Sequence, residues 1–262
     1  MRSFQSVIPR LTALTVILGL MSCGGKPAAP ASTTQGNGGA PAPNSAIIDN
    51  IDQSPWQTCG SCGNPGGVGP TPNFSSRLGM ASPSEDGAST EFSIAPTVPF
   101  TNAYFFQQHT PITSQLISLT YQFDIYVPGG SETAPQAIEF ECQQVLDGWV
   151  YNFAWQAVYP SHVWRTFNYG ANNWESSSVA FNGFTPGTWH RVMAEYHDDT
   201  TAHTVVHDAL TVDGTRYLVG ITHPAFHSGA ANNQFTNAIQ LDSNLAPASY
   251  SIYVDRMKIT YQ

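Results

Sequence analysis

Acids and an amide alternate with apolar residues in Ile138-Glu139-Phe140-Glu141-Cys142-Gln143. Read as a strand, this pattern puts Glu139, Glu141 and Gln143 on one face and sends Ile138, Phe140 and Cys142 to a core. Cleavage of a glycosidic bond needs two carboxyls, ~5–5.5 Å apart for retention or ~6.5–9.5 Å for inversion. Residues two apart on a strand have Cα atoms ~6.5–7 Å apart, so Glu139 and Glu141 can reach either geometry. Beyond Asp147-Gly148, Asn152 and Gln156 alternate with Tyr151, Phe153 and Trp155; later, Gln240 and Asp242 alternate with Ile239 and Leu241. Three separate strands therefore offer one polar face of acids and amides. Trp149, Trp155, Trp164, Trp174 and Tyr169 add aromatic surface. Trp164 and Trp174, in a Tyr/Asn/Ser-rich stretch, are the rings expected to stack on a flat ligand, whereas Trp189 reads as core.

The 262-residue chain has 9 Lys+Arg against 18 Asp+Glu, a formal charge of −9, and only 10% charged residues. Typical soluble domains carry ~25%. The negative balance excludes nucleic acid and anionic lipid as partners. A surface rich in amides and Trp suits a neutral polyol, so the expected partner is a neutral oligo- or polysaccharide. Basic residues are few and scattered (Arg77, Arg165, Arg191, Arg216, Arg256, Lys258), which argues against a lyase that must neutralise a uronate. His203 and His207 have the ligand spacing of a helix but lie in a strand-like run, where ~13 Å separates them. His197 and His203 are candidate cross-strand neighbours around Asp198-Asp199, itself read as a solvated turn. No metal and no cofactor are expected.

Residues 1–22 read as an export signal: Arg2 and Arg10 precede an apolar run, Leu11 to Met21, too short to span a membrane. Leu20-Met21-Ser22-Cys23 resembles the bacterial lipobox, which implies cleavage before Cys23 and its lipidation. Gly24 after it implies transport to the outer membrane, so the expected location is exported and lipid-anchored, at the outer membrane or cell surface. Residues 23–45, rich in Gly, Pro, Ala and Ser, form a tether. Membrane contact is expected through the N-terminal lipid only. Cys59 and Cys62, in Trp56-Gln57-Thr58-Cys59-Gly60-Ser61-Cys62, read as a small local disulfide; a redox pair or a zinc ribbon lacks its following helix or its second Cys pair. Cys142 reads as a buried small hydrophobe.

From residue 46 to 262 the chain reads as about a dozen short β-rich runs separated by turn residues, with Asp147-Gly148 and Asp213-Gly214 marking two-residue hairpins. That pattern predicts an all-β domain, a two-sheet antiparallel β-sandwich of jelly-roll type; the alternative is a closed barrel. Three segments resemble concanavalin A-like lectin/glucanase domains: Pro186-Gly187-Thr188-Trp189-His190-Arg191-Val192, Leu210-Thr211-Val212-Asp213-Gly214 and Ser251 to Ile259. Residues 47–261 resemble uncharacterised exported bacterial proteins of that superfamily. The resemblance implies a lectin-like domain that binds sugar on a concave sheet through Glu139, Glu141, Asn152, Gln156, Trp164, Trp174, Gln240 and Asp242. One alternative is an endo-glucanase-like hydrolase using Glu139 and Glu141. Glucanases of this fold carry Glu-x-Asp-x-Glu or Glu-x-Asp-x-x-Glu, and here Gln143 and Gln144 stand where the second Glu belongs; Asp242 is the acid available to replace it. A structural or adhesion protein without a sugar site is the third reading.

Overall fold

The computed structural model describes residues 45–58, 71–109, 114–229 and 232–262. Cys23, Cys59 and Cys62 lie outside these residues. The strands are β1 (Ala46–Ile48), β2 (Gln57–Thr58), β3 (Asn73–Met80), β4 (Ser89–Ala95), β5 (Asn102–His109), β6 (Leu119–Tyr126), β7 (Pro135–Leu146) and β8 (Trp149–Val158). They continue as β9 (Val163–Asn168), β10 (Asn173–Ala180), β11 (Trp189–Asp199), β12 (Thr204–Val212), β13 (Thr215–Pro224), β14 (Phe226–His227), β15 (Gln234–Ser243) and β16 (Tyr250–Tyr261). Among the described residues the only helical element is a 3-10 turn, Ile51–Gln53.

Two antiparallel sheets result. The back sheet runs β13-β12-β11-β6-β16-β4-β3, with β1 paired to the end of β16; the front sheet runs β10-β9-β8-β7-β15-β5-β2, with β14 paired to β8. The chain crosses repeatedly between the two, giving the expected jelly-roll sandwich rather than a closed barrel. Both Asp-Gly turns have positive φ at each central residue (50° and 83°, then 49° and 78°), the geometry that matches the twist of a two-residue hairpin.

The core lies between the inner faces. Phe140 of the front sheet stacks on Phe123 of the back sheet at 4.4 Å, and Phe153 meets Tyr196 edge-on at 5.3 Å. Cys142 is buried and free, as its strand position predicts. Trp155 also faces inward, as does Trp164, 1% exposed and ringed by Phe140, Trp155, Phe181 and Phe184 at centroid distances of 5.3–6.3 Å. Trp164 is therefore core and unavailable for stacking. The register explains it: Trp164 pairs with Ala157, which shares the inward parity of Phe153 and Trp155.

Trp189 is the opposite correction. Val192 and Ala194 turn inward, so Trp189 turns outward, where its ring lies 5.4 Å from Tyr126, itself 6.1 Å from Tyr253. The Asp198-Asp199 pair is not a solvated turn. Asp198 is fully buried at the end of β11 and accepts the Leu116 N–H at 2.7 Å; only Asp199 caps the turn, accepting from the N–H groups of Thr201 and Ala202. His197 pairs with Asp208 rather than with His203, which stacks on Trp149 at 3.7 Å.

Strand β3 is absent from the sequence reading. Asn-Phe-Ser-Ser-Arg-Leu-Gly-Met has little β propensity, and it is recruited as an edge strand by pairing with β4. Strand β10 likewise starts at Asn173, five residues before the β-rich run that announced it.

Candidate functional site

The outer face of the front sheet is built row by row from strand register. One row reads Tyr104–Gln240–Glu139–Gln156–Arg165 across β5, β15, β7, β8 and β9. The next reads Phe106–Ala238–Glu141–Ala154, with Phe167 beside Ala154 and Trp174 opposite Phe167. A third holds Thr236–Gln143–Asn152. Asp242, one step along β15 from Gln240 on the same face, completes the set. The alternation read in the sequence thus brings Glu139, Glu141, Asn152, Gln156, Gln240 and Asp242 together.

Shape follows from residue size. Alanines flank Glu141 on both sides, so the floor is low there, while rings rise at each end of the row. Tyr104 and Phe106 form one wall, with centroids 5.9 Å apart. Phe167, Trp174 and Tyr169 form the other; Tyr169 packs edge-on against Phe167 at 5.6 Å and tilts onto Phe226 at 5.2 Å. Four inter-strand steps of ~4.8 Å separate the backbones of β5 and β9 by roughly 19 Å. The turn carrying Tyr169 closes tightly because Gly170 has no Cβ; one there would collide with Pro224.

The carboxyls are deeply set and mutually engaged. Glu139 is 5% exposed and Asp242 7%, whereas Glu141 and Gln240 are half-buried. Gln156 Nε2 donates to Glu139 Oε1 at 2.7 Å, and Gln240 Nε2 donates to Asp242 Oδ1 at 2.9 Å. Tyr104 O–H donates to Glu141 Oε2 at 3.5 Å. Asp242 lies on the same face as Glu139, one residue pair along the β15–β7 register, close enough for the two carboxyls to feel each other's charge.

Burial and like charge hold protons on this cluster. Glu139 is pushed well above the ordinary carboxyl range, by burial first and then by the charges of Asp242 and Glu141. Burial and Asp242 raise Glu141 to about 7, against the hydrogen bond from Tyr104; burial raises Asp242 to about 6. The nearby phenols respond in kind. Tyr104 is raised by burial and then by Glu141 and Glu139, and Tyr169 by burial and then by Glu141.

Four polar atoms on this face are buried without a partner: Asn102 Oδ1, opposite Asp242, with Asn152 Oδ1, Gln156 Oε1 and Arg165 Nε. A hollow of about 580 Å³ on the back sheet, lined by residues including Ser75, Glu91, Ser93 and Ser251, differs in this respect. There Ser75 bonds Ser93, and Arg77 pairs with Glu91.

Sequence reasoning did not single out Tyr104, Phe106, Arg165 or Phe167 as site residues. In Ala103-Tyr104-Phe105-Phe106 the faces cannot be told apart by alternation, because three rings run in succession. Arg165 and Phe167 were legible in principle, having opposite parity to Trp164 and Thr166.

No family model matches the sequence, and no curated protein matches it. Solved structures that superpose on the chain include an alginate lyase in complex with an alginate trisaccharide, at 13% identity and TM-score 0.47, covering 83% of this chain and 98% of that one. A carbohydrate esterase from the Shiga toxin-encoding bacteriophage phi24B is 12% identical, with TM-score 0.44 over 79% of this chain and 90% of the other. Lectin II from Ulex europaeus is 10% identical, with TM-score 0.42 over 72% and 92%. At these levels the likeness assigns no role to any residue here, and the chemistry rests on the trough itself.

Proposed function

We propose that the outer face of the front sheet binds an oligo- or polysaccharide free of acidic groups, and that the domain is held outside the cell membrane by lipid on Cys23. One observation carries the reading. Asn102 Oδ1, Asn152 Oδ1 and Gln156 Oε1 are buried along this one face and lack partners, as does Arg165 Nε at its edge. Such groups cost about 1–3 kcal/mol each when left unpaired, a cost that hydroxyls of a bound sugar remove. The aromatic walls supply faces for sugar rings.

A second reading is favoured by the proton held near neutrality on Glu141. A carboxyl of that kind suits a general acid, and Glu139 with Asp242 offers the partner that hydrolysis requires. Calorimetric titration with a panel of neutral and amine-bearing oligosaccharides tests both. A ligand that binds the wild type is expected to lose about fivefold or more with Asn152→Ala or Gln156→Ala. Unchanged affinity in both variants rejects this site. Release of reducing ends that disappears in Glu141→Gln establishes hydrolysis; binding without release leaves a lectin-like domain.

A further inference from the structure

The trough gathers three carboxyls and supplies no cation to balance them. Among the described residues, none of Glu139, Glu141 and Asp242 forms an ion pair. The groups that face them are Tyr104 from β5, Gln240 from β15, Asn152 and Gln156 from β8, Tyr169 from the turn after β9, and Arg165 from β9. Arg165 is the one basic residue in the rows, and its guanidinium reaches away to Ser161 Oγ at 3.4 Å. Elsewhere in the chain, carboxylates that lie near an arginine are paired with it: Asp124 with Arg191 and Arg256, Glu195 with Arg216, Glu91 with Arg77. The unpartnered buried side-chain atoms on this face have a matching bias, since three are acceptors and one is a donor.

Building on the saccharide reading above, we propose that the trough recognises a saccharide bearing free amino groups. An ammonium group set over Glu141 provides the missing positive charge. Its N–H groups satisfy carboxylate oxygens, and remaining donors of the ligand reach Asn152 Oδ1 and Gln156 Oε1. Arg165 Nε donates to a hydroxyl or ring oxygen. A neutral sugar meets the orphan acceptors but offers the clustered carboxyls no counter-charge against which to ionise. The composition of the chain suggested a neutral polyol; the assembly of the three acids in one place shifts the preference to an amine. Because an ammonium partner favours the ionised carboxyls, binding expels protons.

The test is calorimetry at pH 6.5 with a glucosamine tetramer and its fully N-acetylated counterpart, each in two buffers of different ionisation enthalpy. The amine form is expected to bind about tenfold tighter or better, with net proton release. Glu141→Gln and, independently, Asp242→Asn are expected to remove most of that preference while binding of the acetylated tetramer persists. Glu91→Gln on the back sheet is expected to change neither. Equal affinity for the two tetramers overturns the amine proposal while the saccharide reading stands; no binding of either overturns both. Tetralysine binding as tightly as the glucosamine tetramer shows that the amine alone is read, which also overturns it.

Discussion

Trp164→Ala is expected to lower the stability of the fold by roughly 3–5 kcal/mol and its Tm by on the order of 10 °C. The indole fills the space between the sheets against Phe140 of β7 and against Phe181 and Phe184 of the segment joining β10 to β11. Saccharide affinity, measured well below the transition, is expected to be unchanged, since the side chain never reaches the trough. Trp174→Ala should do the reverse. That ring is half-buried on the trough wall, so its loss weakens binding and barely moves the Tm. Thermal unfolding and titration of both variants check the assignment; a binding defect in Trp164→Ala without a stability defect contradicts it.

The second large effect is in pH. Glu139, Glu141 and Asp242 all hold their protons to higher pH in the folded chain than in the unfolded one. Between pH ~4.5 and ~7 the folded state therefore binds protons that the unfolded state has already released. Stability contributed by this cluster is present at the acid end of the window and is lost as pH rises through it. Glu139→Gln removes one of the competing charges without changing the shape of the site. The variant is expected to match the wild type at pH 4 and to exceed it by about 1–3 kcal/mol at pH 8. Denaturant unfolding at the two pH values reads the difference directly. A variant that is less stable at pH 8 than at pH 4, relative to wild type, shows that Glu139 is an ionised, stabilised carboxylate instead.

The sequence showed most where a single period decides the outcome. Period-two alternation in β7, β8 and β15 turned Glu139, Glu141, Asn152, Gln156, Gln240 and Asp242 to one face, because each of them except Asp242, which Ser243 follows, has apolar neighbours on both sides. The two Asp-Gly turns were legible because their backbone demands residues that tolerate positive φ. Trp164 was misassigned because the composition around it, rich in Tyr, Asn and Ser, outweighed its parity; its inward pairing with Ala157 is a long-range fact of the β8–β9 hairpin. Trp189 was misassigned for a related reason, its outward position being set by Val192 and Ala194 facing the core. The convergence of Asp242 on Glu139 lies beyond local reading altogether. About a hundred residues separate the two, and only the pairing of β15 with β7 makes them neighbours.

The direct test of the account is to map a bound oligosaccharide onto the isotope-labelled protein by amide and side-chain chemical shifts. Perturbations are expected to concentrate at Tyr104, Glu139, Glu141, Asn152, Gln156 and Asp242, with the outward rings of Trp189, Tyr126 and Tyr253 unaffected. Perturbations centred on those back-sheet rings, with the front-sheet carboxyls silent, would contradict the account.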